Sequence, residues 1–448
     1  MKRIAIGLLL ACATACGPSR DAVSSAGLRP GSPLTLAAAG DIVVATTPWP
    51  ATGADREFDA VTTLLRRASL TLGNLEETVS DATHVAVTWP RGSTAIVRQM
   101  ARAGFTALAL ANNHAGDGGS DGIRDTLRIL DRAGIHHAGA GSDALAAGSA
   151  VSIGDGDSPP RVAVISVTTS AADEARATLT RGEILGRPGV NAIVTDAVVT
   201  ADPQTYAALS AMARATGTGL ESASGLEVGG RRVQKGAVTS VELTARPADV
   251  ERVLSAIDAA RATTDVVVLC VHSHEPSNLS SEPAPFVREI AHQAIDRGAS
   301  LVVGTGPRQL RGIEVYKRGV ILYSLGSFAF DLRAIPAQAA DVFDTNVSLT
   351  EVAIGAAAGT ASGRLPAYDE SVWWESVIAT ATFDGAHVRD VRLDPIDLGV
   401  AKSPADRGVP RIASHTVAQE ILARLHALSA TYGTTIRIDG DTGVVVVP

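Results

Sequence analysis

Seven short apolar runs punctuate the chain: Leu34–Ala39, Leu70–Leu72, Ala107–Ala111, Val162–Val167, Val266–Val271, Leu301–Val303 and Val320–Leu325. They are rich in Val, Ile, Leu and Ala and lack strict alternation, the pattern of strands buried on both faces. Between them, apolar positions recur at helical spacing. Ile123, Leu127 and Leu130 repeat at i, i+4 and i+7 within Ser120–Ala133, and Val250–Ala262 and Phe286–Asp296 carry similar stripes. Gly134 and Gly298 stand where helix C-caps belong. This alternation predicts an α/β layered fold with a mostly parallel sheet at its centre.

Two stretches break the rhythm. Residues 171–245 are turn-rich, with Gly186-Arg187-Pro188-Gly189 and Gly229-Gly230-Arg231-Arg232, and read as an insertion or cap. Ala356–Pro366 is Ala/Gly-rich and reads as a surface loop. After it, Ser376–Phe383 and His387–Leu393 flank Asp384-Gly385, a hairpin signal. A helix at Val417–Ala430 and a last hairpin around Gly440 follow. The body thus divides into a main domain at 34–335 and a small C-terminal extension at 336–448 expected to pack on it.

The N-terminus changes the expected location. Lys2 and Arg3 precede the apolar run Ile4–Ala13, too short to span a bilayer comfortably, and Ala13-Thr14-Ala15-Cys16-Gly17 follows. Residues 1–16 read as a lipoprotein-type signal cut before Cys16, which would carry the lipid. Residues 17–33 read as a flexible tether. The expected location is the cell envelope, anchored to a membrane and facing the periplasm or the outside.

Composition narrows the classes. Of 448 residues, 46% are hydrophobic and 19% charged, enough for a large buried core. A net charge of −8 argues against nucleic acid as a partner and gives no long-range attraction for an anionic polymer. Such a substrate has to be held by local cations or a metal. Two of the three cysteines lie in the signal, so no disulfide framework exists, and Cys270 reads as core packing.

The chemistry lies at the strand ends. The runs lead into Gly40-Asp41, Asn74-Leu75-Glu76, Asn112-Asn113-His114, His272-Ser273-His274-Glu275 and Gly304-Thr305-Gly306-Pro307-Arg308. Ligands of open α/β sheets sit at the carboxyl ends of strands, so these groups are expected to converge. Two imidazoles two residues apart share one side of an extended segment. Carboxylates, imidazoles and an amide oxygen together suit Mn, Zn or Fe. His136 and His137 read as solvated loop residues, His292 as a surface or packing residue, and Trp373-Trp374 as a core anchor.

Taken in chain order, the motifs resemble those of the CapA family of poly-γ-glutamate capsule synthesis proteins. The resemblance rests on Asp41, Asn74-Leu75-Glu76, and Ala111-Asn112-Asn113-His114-Ala115 with Asp117 and Gly119. It continues through Gly139-Ala140-Gly141, His272 with Glu275, Gly312 to Lys317, and Tyr323-Ser324-Leu325-Gly326-Ser327-Phe328. It implies a calcineurin-like, metallophosphatase-type layered fold with central β-sheets flanked by helices. By that resemblance Asp41, Glu76, Asn113 and His272 match metal-site positions. His114 matches the position of a general acid or oxyanion-orienting group, and His274 or Glu275 is a further ligand or supporting group. The implied role is capsule synthesis or export, with an anionic polymer such as poly-γ-glutamate or a phosphoester as substrate and capsule-export proteins as partners.

One departure matters. Where many members carry Gly-His-x-Pro-His, this chain reads Gly304-Thr305-Gly306-Pro307-Arg308. Thr305 is a poor ligand and Arg308 is none, because its guanidinium stays protonated. The expectation is a divalent site reduced to a single ion, weakened or absent, with Arg308, and Glu275 beside the histidines, read as substrate contacts. Three functions remain open. They are a metal-dependent hydrolase or transferase, a non-catalytic polymer-binding scaffold lipoprotein, and a general periplasmic phosphoesterase.

Overall fold

Each apolar run forms a strand, and the strands sort into two sheets. The computed structural model describes residues 33–44, 49–85, 87, 91–154, 160–222, 225–228, 231–331, 370–403 and 406–448. The signal with Cys16, the tether up to residue 32 and the loop at 356–366 lie outside the described residues.

The first sheet runs in the order Ile436–Asp439, Thr442–Val445, His387–Asp397, Glu375–Asp384, Leu34–Val43, Leu70–Leu75, Ala107–Ala109, His136–Ala138. Its last four strands are parallel, and the C-terminal strands join antiparallel. The second sheet runs Leu310–Tyr316, Gly319–Leu325, Leu301–Thr305, Val266–His272, Val162–Thr168, Val151–Ile153, with four parallel strands at its centre.

The two sheets pack face to face. Leu36, Leu72, Val164, Val268, Val303, Leu322 and Leu393 fill the space between them, joined by Ile421 and Leu425 of helix His415–Ala430. Helices Arg56–Arg67, Thr94–Ala103 and Gly119–Ala133 cover the outer face of the first sheet through Phe58, Val61, Leu65, Met100, Ile123 and Leu130. Helices Pro247–Arg261 and Pro285–Asp296 cover the second through Val253, Ile257, Ile290 and Ala294. The result is a helix–sheet–sheet–helix stack, the metallophosphatase-type layered architecture. It explains the missing alternation: Val266, Val268 and Cys270 face the other sheet while Val267, Leu269 and Val271 face helices. Removing one such side chain, as in Leu72→Ala, costs about 2–5 kcal/mol.

Local signals set the helix ends. Asp55 caps Arg56–Arg67 by accepting from Phe58 N, with Glu57 and Asp59 in the first turn and Arg66 and Arg67 in the last. This helix, Thr94–Ala103 and Pro203–Thr216 lie outside the stripes read from the sequence. Gly134, at φ 71°, caps Gly119–Ala133 as expected.

The C-terminal segment is woven into the first sheet. Glu375–Asp384 pairs with Leu34–Val43 from Leu34↔Phe383 to Ala38↔Ala379. Trp373 and Trp374 are both buried. Between Thr195 and Ala245 the described residues form a separate five-stranded sheet with helix Pro203–Thr216, around Tyr206, Ala213, Leu226 and Val233. Residues 171–194 instead return to the main body, where Val190 and Ala192 join the first sheet's outer core. His136 and His137 are not loop residues: they form an edge strand, with His137 Nε2 3.0 Å from Asp131 Oδ1. His292 stacks on Tyr316 and bonds Glu314.

Candidate metal centre

The carboxyl ends of the parallel strands in both sheets meet at one edge of the sandwich. Asp41 lies within strand Leu34–Val43, where its N–H donates to Gly326 O at 3.0 Å. Gly40 permits that approach, since a Cβ there would sit 1.9 Å from Gly326 O. Asp41 Oδ1 accepts from Asn74 Nδ2 at 2.8 Å, and Oδ2 from the Gly306 N–H at 3.1 Å. Gly306 turns at φ +119°, against the Ser273 backbone, a conformation that favours glycine. Asn112 ties the next turn down. Its Oδ1 accepts from the N–H groups of His114 and Ala115, and its Nδ2 donates to Leu75 O. That fixes Asn113 and His114 beside Glu76.

Four atoms then converge. His272 Nε2 lies 2.9 Å from Asn113 Oδ1 and 3.1 Å from His274 Nε2, which is 3.2 Å from the same Asn113 oxygen. Glu76 Oε1 is 4.0 Å from each Nε2. Glu76, His272 and His274 form a group able to hold a divalent ion, with ligand atoms all within 4.8 Å of one another. Bonds of about 2.1 Å place tetrahedral ligands about 3.4 Å apart, within the span of these distances.

The outer ring nitrogens bear on the fit. His274 Nδ1 lies 2.7 Å from Asn278 Oδ1, and His272 Nδ1 lies 3.0 Å from Thr305 Oγ1 and 3.2 Å from Asn74 Nδ2. When each Nδ1–H donates to its neighbouring oxygen, each Nε2 turns a lone pair inward. Two lone pairs, an amide oxygen and a carboxylate then share one space, an arrangement that a cation relieves. The Asn74 amide lies between Asp41 and His272, its Nδ2 2.8 Å from Asp41 Oδ1 and 3.2 Å from His272 Nδ1.

Burial and charge keep both rings neutral. Desolvation, then the charges of His274, Arg308 and His114, hold the His272 pKa well below the ordinary imidazole value. Desolvation and the Arg308 charge push His274 down to about 3. Desolvation raises the Asp41 carboxyl, opposed by Arg308, Asn74, Gly306 and Thr305. The Cys270 thiol is raised to about 12 by burial alone.

The structure thus brings Asp41, Glu76, Asn113, His114, His272, His274 and Arg308 into one crevice. Asp41, Glu76 and His272 form its floor, while the His114 and His274 side chains reach the mouth, 17% and 20% exposed. His114 Nδ1 sits 2.8 Å from Asp117 Oδ2, leaving Nε2 facing Glu76 Oε1 at 3.9 Å. Arg308, expected at a substrate, is 2% exposed; its Nη2 donates to Glu76 Oε1 at 2.7 Å. Glu275 is turned aside, accepting from the hydroxyls of Thr169, Ser170 and Ser273.

Sequence reasoning passed over Asn278 and Arg311. Arg311 donates to the carbonyls of Glu275, Ser277 and Ser280, fixing the loop that carries Asn278 to His274. The only signal was an asparagine four residues after a histidine, in a segment without periodicity.

Comparison with known proteins follows the same outline. The family described as bacterial capsule synthesis protein (PGA_cap) matches residues 35–332. The uncharacterised protein y4sH of Sinorhizobium fredii is 35% identical over 437 residues, covering 92% of this chain and 93% of that protein. The capsule biosynthesis protein CapA of Bacillus anthracis is 26% identical over 235 residues, 52% of this chain and 42% of its own length. The PGA biosynthesis protein CapA of Bacillus subtilis is 26% identical over 286 residues, 62% and 58% of the respective chains. With its sandwich of two sheets and its ordered strand-end motifs, the chain belongs to the bacterial capsule synthesis protein family.

Proposed function

We propose that this chain is a cell-envelope accessory protein of capsular polymer synthesis, acting as a metal-dependent hydrolase or transferase on an anionic chain such as poly-γ-glutamate. The observation that carries this reading is the convergence of Glu76 Oε1, Asn113 Oδ1, His272 Nε2 and His274 Nε2, with both imidazoles kept neutral. The substrate class follows the relatives named for capsule and PGA biosynthesis.

Glu76, Asn113, His272 and His274 would hold the ion, which when bound would polarise a carbonyl or phosphoryl oxygen and lower the pKa of water near neutral pH. Asn278 Oδ1 accepts from the His274 Nδ1–H and leaves its Nε2 free to ligate, while Thr305 and Asn74 orient the His272 ring. The buried floor excludes water, and substrate enters on the side where His114 and His274 are exposed. His114, oriented by Asp117, carries the proton delivered to the leaving group from Nε2. Cys16 is the lipidated anchor, and among the described residues no helix is long and apolar enough to cross a membrane.

The test is incubation of purified protein with poly-γ-glutamate and Mn or Zn, following chain length on a gel. Shortening or transfer is expected, with loss after chelation or in His272→Ala. Unchanged polymer with every ion sinks the catalytic reading. A second reading, a binding scaffold, is favoured by the hold of Arg308 on Glu76. It predicts capture of the polymer without cleavage. Radiolabelled palmitate on the wild type but not on Cys16→Ala checks the anchor.

A further inference from the structure

Two carboxylates, Asp41 and Glu76, are fully buried at the crevice floor. The imidazole cluster and Arg308 share one carboxylate oxygen, Glu76 Oε1. We infer that the Arg308 guanidinium is a resident cation standing where a second metal ion would otherwise sit, so that the centre takes one divalent ion and Asp41 is a positioning residue. This deepens the metal reading above and rests on it.

Glu76 Oε1 faces both positive positions, 2.7 Å from Arg308 Nη2 and 4.0 Å from the Nε2 atoms of His272 and His274. Arg308 is held as a built part of the floor. Its guanidinium carbon lies 4.6 Å from the centre of the buried Phe330 ring, a cation–π contact. Its backbone adopts φ 61°, a left-handed conformation that a long side chain takes at a cost, and such strain persists where the surroundings enforce it. Asp41 is already satisfied without an ion. Asn74 donates to one oxygen, the Gly306 N–H to the other, and Arg308 supplies the charge. Through Asn74, whose Nδ2 lies 2.8 Å from Asp41 Oδ1 and 3.2 Å from His272 Nδ1, Asp41 positions the His272 ring.

The test is equilibrium dialysis of the full chain against Zn(II) or Mn(II), with ions counted by mass spectrometry and Mn(II) spin coupling read by electron paramagnetic resonance. Wild type, Arg308→His and Arg308→Ala are compared, each checked for folding by circular dichroism. The expected result is one more ion per chain in Arg308→His than in wild type, with exchange-coupled manganese that wild type lacks. Arg308→Ala is expected to melt lower than wild type in chelator and to recover on adding Mn(II). Folded variants that bind the same number of ions as wild type overturn the inference. Two ions or coupled manganese in wild type overturn it without any variant. The increment between variant and wild type judges Arg308. A wild-type count of zero sinks the metal reading separately.

Discussion

The two sheets feed the crevice with different chemistry. Strand ends of the first sheet deliver the carboxylates of Asp41 and Glu76 and the amides of Asn74 and Asn113, with His114 at the mouth. The second delivers the imidazoles of His272 and His274, the Thr305 hydroxyl and the Arg308 guanidinium. Neither set is complete alone. The acids of the first sheet are buried against the cation and donors of the second, so the centre exists only when the sandwich is packed. The bonds that join them span 159 residues from Asn113 to His272 and 232 from Glu76 to Arg308.

The sharpest way to break this complementarity is at Glu76, the carboxylate that both sides share. Glu76→Ala is expected to abolish ion binding and, by stranding the buried Arg308 charge, to lower stability by about 3–5 kcal/mol in urea denaturation. His114 belongs to the first sheet and is not among the converging ligand atoms. His114→Gln is expected to lower polymer turnover by roughly 10²–10⁴-fold while ion affinity, measured by calorimetry, stays unchanged. A parallel fall in affinity would place His114 among the ligands. On the second sheet's side, Asn278→Ala frees the His274 ring and is expected to weaken ion affinity by about 10–100-fold with the fold intact by circular dichroism.

The smallest effect is on acid stability. His272 and His274 resist protonation in the folded, metal-free protein, His274 down to about 3, whereas in the unfolded chain they charge near 6.5. The unfolded state therefore binds more protons through that window, and stability falls as pH drops from about 6.5 toward about 3. Denaturation at several pH values is expected to show a shallower acid loss in His274→Gln than in wild type.

Much of the first sheet's contribution was legible because Asp41, Glu76 and Asn113 come within four residues of the end of an apolar run, as His272 of the second sheet directly follows one. The division into two sheets was not. Runs buried on both faces look alike whether a helix or another sheet covers them, as Val267 and Val268 illustrate. The C-terminal hairpin was visible as turn chemistry at Asp384-Gly385, but its pairing with Leu34–Val43 is set by tertiary contact. Arg308 was readable as a departure from a histidine motif, while its partner on the opposite sheet was not. Asn278 and Arg311 act through loop carbonyls and a ring nitrogen, which leave no periodic trace.

One cation held jointly by the two sheets is visible to anomalous diffraction from crystals soaked in Zn(II) or Mn(II). A single peak is expected among Glu76, Asn113, His272 and His274, with ligand distances of about 2.0–2.2 Å and Arg308 still on Glu76. An empty map there, or a peak between Asp41 and Glu76 with Arg308 displaced, rules out a shared single-ion centre.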